Sequence, residues 1–356
     1  MRVILSRTDS IGDVVLTLPM AGVLKRFFPG CTIIFLGRNY TRPVIEACKH
    51  IDQFCSWDEV SGLPDPGSRI RVIDNLNADT IIHVFPVSAI CKLAKQAGIQ
   101  TRIATSRRFF TWLTCNRLLH IPRKNSDLHE AQLNLKMLKP LGIGKEFTLE
   151  EIIEAYGLKS GQADKRTGQQ ADNGAVQLKI KNYELQQITP VTRQVSRVTD
   201  KMTILLHPKS KGSAREWGLE NFSKLIALLP EEKFNIIVTG TKDEGALMRD
   251  FLTAHRGRIV DMTGKLTLTE FMELIRSSDA IVAASTGPLH IAAAFGIRAI
   301  GLYAPMRPIF PQRWAPLGKN ASYLVLDKNC HDCRKTMVCA CIRSIKPEAV
   351  VEKLLG

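Results

Sequence analysis

Short apolar runs alternate with helix-patterned segments along most of this chain, and that alternation restricts its fold more than any other feature. Residues 3–5 form a first apolar run, a helical pattern covers 14–28, and Pro29-Gly30 stops it. A second run at 31–36 precedes a helix at 42–49, and 80–85 reads as a buried strand followed by a helix at 88–96. The alternation restarts with strands at 203–206, 235–238, 280–284 and 299–303 and helices at 219–229, 244–254, 269–277 and 288–295. Strands that alternate with helices imply a parallel sheet covered on both faces. Between the two series, residues 159–174 are rich in Gly, Gln, Asp and Lys and hold almost no large apolar side chain. Such a stretch buries no core and reads as a linker or loop. Residues 176–180 offer one more strand. The expected domains are therefore 1–175 and 176–343, with a closing helix in 344–356, and 356 residues suit two domains. The two series show no obvious sequence repeat.

At 45% hydrophobic and 23% charged residues the chain has the composition of an ordinary globular protein. No stretch reaches the roughly 18 consecutive apolar residues of a membrane span. Asp9 and Asp13 interrupt the first apolar run, so no secretory signal forms and a cytoplasmic location is expected. The formal charge of +15 points to anionic partners: nucleic acid, phosphorylated lipid or a phosphate-bearing substrate. From Arg102 to Lys124 the chain carries Arg107, Arg108, Arg117 and Arg123 with no acidic residue, and Phe109, Phe110 and Trp112 lie among them. That mixture suits an anionic membrane surface, a phosphorylated acceptor or single-stranded nucleic acid; the plain alternative is a basic loop whose aromatics pack inward. Of nine cysteines, Cys31, Cys48, Cys55, Cys91 and Cys115 are scattered and read as small core residues in a reducing compartment. Cys330, Cys333, Cys339 and Cys341 lie close enough for a structural zinc site, although their spacing is short for a zinc ribbon and reduced thiols serve equally.

Several segments carry chemistry. Arg7-Thr8-Asp9-Ser10-Ile11-Gly12-Asp13 follows the first strand, where Gly12 permits a tight turn and Asp13 stands at a helix start. Asp13 is read either as a general base or as a carboxylate that caps the helix. Ser285-Thr286-Gly287-Pro288-Leu289-His290 joins a strand to a helix of small residues, a junction that suits a diphosphate. The loop from His207 to Trp217 contains Lys209, Ser210, Lys211 and Arg215 and resembles a phosphate-handling loop without Walker spacing. Glu244 follows another strand and could hold ribose hydroxyls or cap its own helix.

Taken together, Ile11-Gly12-Asp13-Val14-Val15, Trp217 two residues after Arg215, and Thr286 to Ala294 resemble glycosyltransferase family 9, the heptosyltransferases of lipopolysaccharide core assembly. The resemblance covers nearly the whole chain. It implies a GT-B fold of two Rossmann-like domains facing across a cleft, with acceptor on the first and nucleotide-sugar donor, ADP-heptose, on the second. It implies Asp13 as catalytic base, Lys209, Ser210, Lys211 and Arg215 near the diphosphate, and Glu244 on the ribose. Thr286, Gly287 and His290 belong to the donor signature, with Ser285 at the sugar, and Arg107 and Arg108 are expected to meet an anionic lipid-linked saccharide. Two departures stand out: Ser285 replaces an Asp common in relatives, and Lys209 replaces a Gly. The sequence contains no Asp-x-Asp pair, so an inverting, metal-independent transfer is expected, with peripheral contact at the inner membrane face and no nucleic acid. The rivals are transfer of another nucleotide sugar, a basic nucleic-acid-binding α/β protein without transferase activity, and a relative that only binds.

Overall fold

The structure is a computed structural model that describes residues 1–123, 125–158, 201–307, 309–326 and 338–356. It contains two six-stranded sheets whose neighbouring strands all run parallel. The first holds β1 (Arg2–Ser6), β2 (Thr32–Gly37), β3 (Gln53–Ser56), β4 (Thr80–His83), β5 (Thr101–Thr105) and β6 (Arg117–Leu119), in the order β3-β2-β1-β4-β5-β6. The second holds β7 (Met202–His207), β8 (Phe234–Val238), β9 (Ile259–Asp261), β10 (Ala280–Ala284), β11 (Arg298–Tyr303) and β12 (Ala321–Val325). Read from β9 to β12 its order is β9-β8-β7-β10-β11-β12, so the two sheets share one topology. This is the doubly wound order that binds ligands where the strand sequence reverses, between β1 and β4 and between β7 and β10.

The central strands are apolar on both faces, as parallel strands covered by helices must be. In the first sheet Val3, Leu5, Ile33 and Phe35 face one way, and Ile4, Ile34, Leu36 and Ile81 belong to a separate cluster on the other side. In the second, Leu205, Ile281 and Ala283 alternate with Ile204, Leu206 and Val282. The alternation is the period of two of a β-strand. One apolar cluster runs from Val3 and Leu5 through Val14, Leu289 and Ile291 to Leu205 and Ile281, and so belongs to both halves.

The helix expected over 14–28 is two helices, Ile11–Val15 and Pro19–Phe27. Pro19 has no amide to continue the first and a fixed φ suited to starting the second. The closing helix is Pro347–Leu355; its Val350 and Leu354 join Phe222, Leu225 and Ile226 in the second half's own core. The expected domain boundary at 175 and the strand at 176–180 lie outside the described residues. Among the described residues no helix is long and apolar enough to cross a membrane.

Candidate functional site

Asp13 projects from the third position of the helix Ile11–Val15, immediately beyond the end of β1. Its carboxylate receives side-chain donors, the Arg7 guanidinium and the Ser10 hydroxyl, while the helix N-cap, Ser10, makes no side-chain cap bond. Asp13 is therefore not the N-cap itself, although as the acidic residue of the first turn it still complements the helix dipole. Its side chain is 18% exposed, whereas Arg7 beneath it is 3% exposed. Burial works against the Arg7 charge, but Asp13 first and Asp9 next hold the guanidinium protonated. Arg7 also bonds both oxygens of Asp9, through Nε at 2.7 Å and Nη2 at 2.9 Å.

Beneath this group lies a second carboxylate. Glu130 is 2% exposed and is approached by Arg123, by Arg7 at 3.8 Å, and by Arg313 of the other half through Nε at 3.0 Å and Nη2 at 2.9 Å. Neighbouring contacts also cross between the halves: Arg307 pairs with Asp127, and His129 Nε2 donates to the Ala315 carbonyl at 3.0 Å. His129 Nδ1 accepts the Ala131 amide, which fixes that tautomer, and burial lowers the His129 pKa. The segment 127–130 is thus stitched to 307–315. Sequence reasoning missed Glu130 and Arg313, which are 183 positions apart and carry no local pattern.

The second half brings its own strand-to-helix junction against Asp13. The helix Gly287–Ala294 has Thr286 as N-cap and lies across Ile11–Val15. A Cβ at Gly287 would stand 2.9 Å from the Ile11 Cβ, and one at Gly12 would stand 3.0 Å from the His290 ring. Both glycines therefore serve close approach. Gly12 lies within a helix and takes no positive φ, so the tight turn expected of it is not its role. His290 is 2% exposed, and burial, helped by His129, pulls its pKa down to about 4 against a pull upward from Asp13. Its Nδ1 and the Thr286 hydroxyl are both buried without a hydrogen-bond partner among the described residues. Two orphaned polar atoms at one junction are what a ligand would satisfy. Ser285 is half-buried beside the Tyr303 phenol.

The basic loop after β7 is partly self-satisfied. Lys209 is ion-paired with Glu216 at 2.8 Å, Ser210 donates its amide to Glu216 at 3.0 Å, and its hydroxyl donates to the Ala214 carbonyl at 2.9 Å. Lys211 is exposed at the tip with a φ of 52°, and the half-buried Arg215 places Nη2 4.0 Å from the Met306 sulfur. Trp217 is buried edge-on to Phe222 and donates to the Ile345 carbonyl at 2.9 Å, which anchors the loop. Glu244 caps its own helix with Thr241, the structural alternative to a ribose contact; it is 5% exposed and one of its oxygens accepts the Thr241 amide at 2.7 Å.

The basic stretch divides into two kinds of arginine. Arg102 bonds the Thr114 and Ile99 carbonyls and the half-buried Arg123 pairs with Glu130, whereas Arg107, Arg108 and Arg117 are exposed. Arg108 stacks over Phe85 at 5.0 Å. Phe109, Trp112 and Leu113 are 80%, 62% and 59% exposed, so the inward-packing alternative fails for them. Cys330, Cys333 and Lys124 lie outside the described residues; Cys339 is buried and Cys341 half-buried. Two hollows, of about 500 and 410 Å³, are lined by other residues, the smaller one between Arg42–Ala47 and Thr269–Arg276. At Asp13 itself the halves are in contact.

Two sheets of one doubly wound topology, with the candidate residues at both points of strand reversal, define an α/β protein of two Rossmann-like domains. The family model for glycosyltransferase family 9 (heptosyltransferase) matches residues 88–341, and this chain belongs to that family. It is a glycosyltransferase. The chain is 26% identical over 322 residues to a Haemophilus influenzae protein named "Putative glycosyltransferase", covering 89% of this chain and 86% of that one. With lipooligosaccharide heptosyltransferase 2 of the same organism it shares 22% over 335 residues, 92% and 89% of the two chains. Its structure resembles that of Escherichia coli ADP-heptose lipopolysaccharide heptosyltransferase II with a TM-score of 0.71 at 16% identity, covering 100% of this chain and 98% of that one. The resemblance to a family 9 glycosyltransferase of Veillonella parvula has a TM-score of 0.76 at 17% identity, with 99% and 97% covered. The N-terminal segment with Asp13 precedes the range matched by the family model.

Proposed function

We propose that this protein transfers heptose from ADP-heptose to a lipopolysaccharide-type saccharide, with inversion and without a metal ion or other cofactor in the reaction. The observation that carries the reading is the meeting of Asp13 with the Thr286–His290 junction across the two halves. The relatives support it by name, as heptosyltransferases of lipopolysaccharide and lipooligosaccharide. In the reaction, the acceptor oxygen attacks the anomeric carbon from the face opposite the diphosphate. Its proton passes to Asp13, and the bond to the nucleoside diphosphate breaks. Arg215, Lys211 and the helix end at Thr286-Gly287 stabilise the negative charge that develops on the leaving group. Lys209 joins them if donor binding draws it from Glu216, and Glu244 turns its second oxygen to the ribose.

Arg7 and Ser10 hold the Asp13 carboxylate in place, and Arg7 ties that placement to Glu130 and so to Arg313 of the donor half. Closure of the halves and alignment of the base are then one event. The exposed Arg107 and Arg108 beside Phe109 and Trp112 suit an anionic, lipid-linked acceptor and peripheral contact with the inner face of the membrane. The second reading, another nucleotide sugar on the same machinery, is favoured by Ser285, which leaves no carboxylate at that place.

A panel of nucleotide sugars, read by turnover and by thermal stabilisation, distinguishes the donors. With the donor so found, Asp13→Asn is expected to lower kcat by about 10²–10⁴-fold while donor affinity stays nearly constant. Turnover that survives the substitution removes Asp13 from the role of base.

A further inference from the structure

We propose that His83, Cys91 and Cys115 form a closed structural site for a soft divalent cation, with zinc as the probe. The ligating nitrogen of His83 and the two sulfurs all lie within 4.8 Å of one another. The three residues come from separate elements: His83 ends β4, Cys91 sits in the helix Ser88–Gln96, and Cys115 follows the helix Phe109–Thr114. All three are buried, and His83 is fully enclosed. Neither ring nitrogen of His83 has a hydrogen-bond partner among the described residues. A cation bound at one ring nitrogen gives that buried nitrogen the partner it lacks.

The chemistry matches the setting. On binding, each thiol releases its proton to solvent and the imidazole gives a lone pair, with no change in oxidation state. Two thiolates balance a divalent cation, so the centre is neutral in an apolar surrounding. Tetrahedral zinc sets its sulfurs about 3.8 Å apart, which falls within the 4.8 Å span of the three ligand atoms. The Thr114 hydroxyl stands 3.7 Å from the Cys115 sulfur and donates its proton to the Phe110 carbonyl at 2.7 Å, which leaves its oxygen to complete four protein ligands. The cation then ties the helix Phe109–Thr114, with its exposed Phe109 and Trp112, to the central part of the first sheet. The site does not enter the reaction, so its test is separate from that of the transferase reading.

The test begins with C330S/C333S/C339S/C341S, which removes the other clustered cysteines as competitors within the full chain. The protein is stripped under reductant, titrated with zinc and freed of excess, and bound metal is measured with X-ray absorption at the zinc edge. One zinc per chain is expected, with two sulfur ligands and one imidazole, and it should be lost when C91S/C115S is added. A folded C330S/C333S/C339S/C341S chain that binds no zinc, or binds it unchanged after C91S/C115S, overturns the proposal. If either variant fails to fold, the wild-type chain is alkylated in mild denaturant with and without zinc, and the modified cysteines are mapped. Zinc is expected to protect Cys91 and Cys115; equal labelling of both, or a disulfide between them under reductant, overturns the site.

Discussion

His290 is enclosed against Gly12 and His129, and the enclosure decides its protonation. Its pKa falls from the ordinary 6.5 to about 4, so the folded chain stays neutral there while the unfolded chain takes up a proton. Stability from this group is complete above pH 6.5 and drains away as the pH falls toward about 4. His129 and His207 shift in the same direction through burial and add to the slope. Urea midpoints measured across that window should decline for the wild type and decline less for His290→Asn. Equal slopes would remove His290 as a source of the acid sensitivity. At this scale the sequence marked where candidate side chains stand relative to the strands better than it marked their bonds. The segments holding Asp13, Lys209 and Thr286 were legible because each follows an apolar strand, but the partners were not. That Glu216 takes Lys209, or that Arg7 supports Asp13, depends on how a loop folds back, and residue types alone leave that open.

Among the elements, the crossing of the helices Ile11–Val15 and Gly287–Ala294 is governed by two missing side chains. Gly287→Ala places a methyl 2.9 Å from the Ile11 Cβ and should destabilise the chain by about 1–3 kcal/mol, the usual range for an overpacked contact. Ile11→Ala keeps that Cβ but removes the Cγ2 that the new methyl would also meet at 3.0 Å, so in the same chain it should restore part of the loss, and urea unfolding of the four proteins of this cycle measures the coupling. Strictly additive losses would mean that the two helices do not touch in solution. The central strands were readable because burial on both faces makes them continuous apolar runs, and β10 was found with its boundaries. The strands β3, β5, β6, β9 and β12 were not foreseen. β6 and β9 have three residues each, and β5 carries Thr101, Arg102 and Thr105 within a stretch dominated by its charge.

For the molecule as a whole, the shared strand order of the two sheets was hidden in sequences without an evident repeat. Topology follows from the handedness of strand–helix–strand crossovers, which many side-chain sets satisfy equally well. The contacts of Glu130 with Arg313 and of Asp127 with Arg307 were likewise illegible, since they join residues that only the finished fold brings together. The apolar cluster common to both halves has a consequence for melting. Chains of two domains often unfold in separate steps, but here Leu289 and Ile291 belong to the same oily continuum as Val3 and Leu5. Scanning calorimetry should show one heat-absorption peak, and two resolved peaks would mean the continuum is too weak to couple the halves. On the proposed function, admitting a sugar nucleotide beside Asp13 wets part of that continuum, so the protein's heat tolerance and its readiness to gape open would draw on the same contacts.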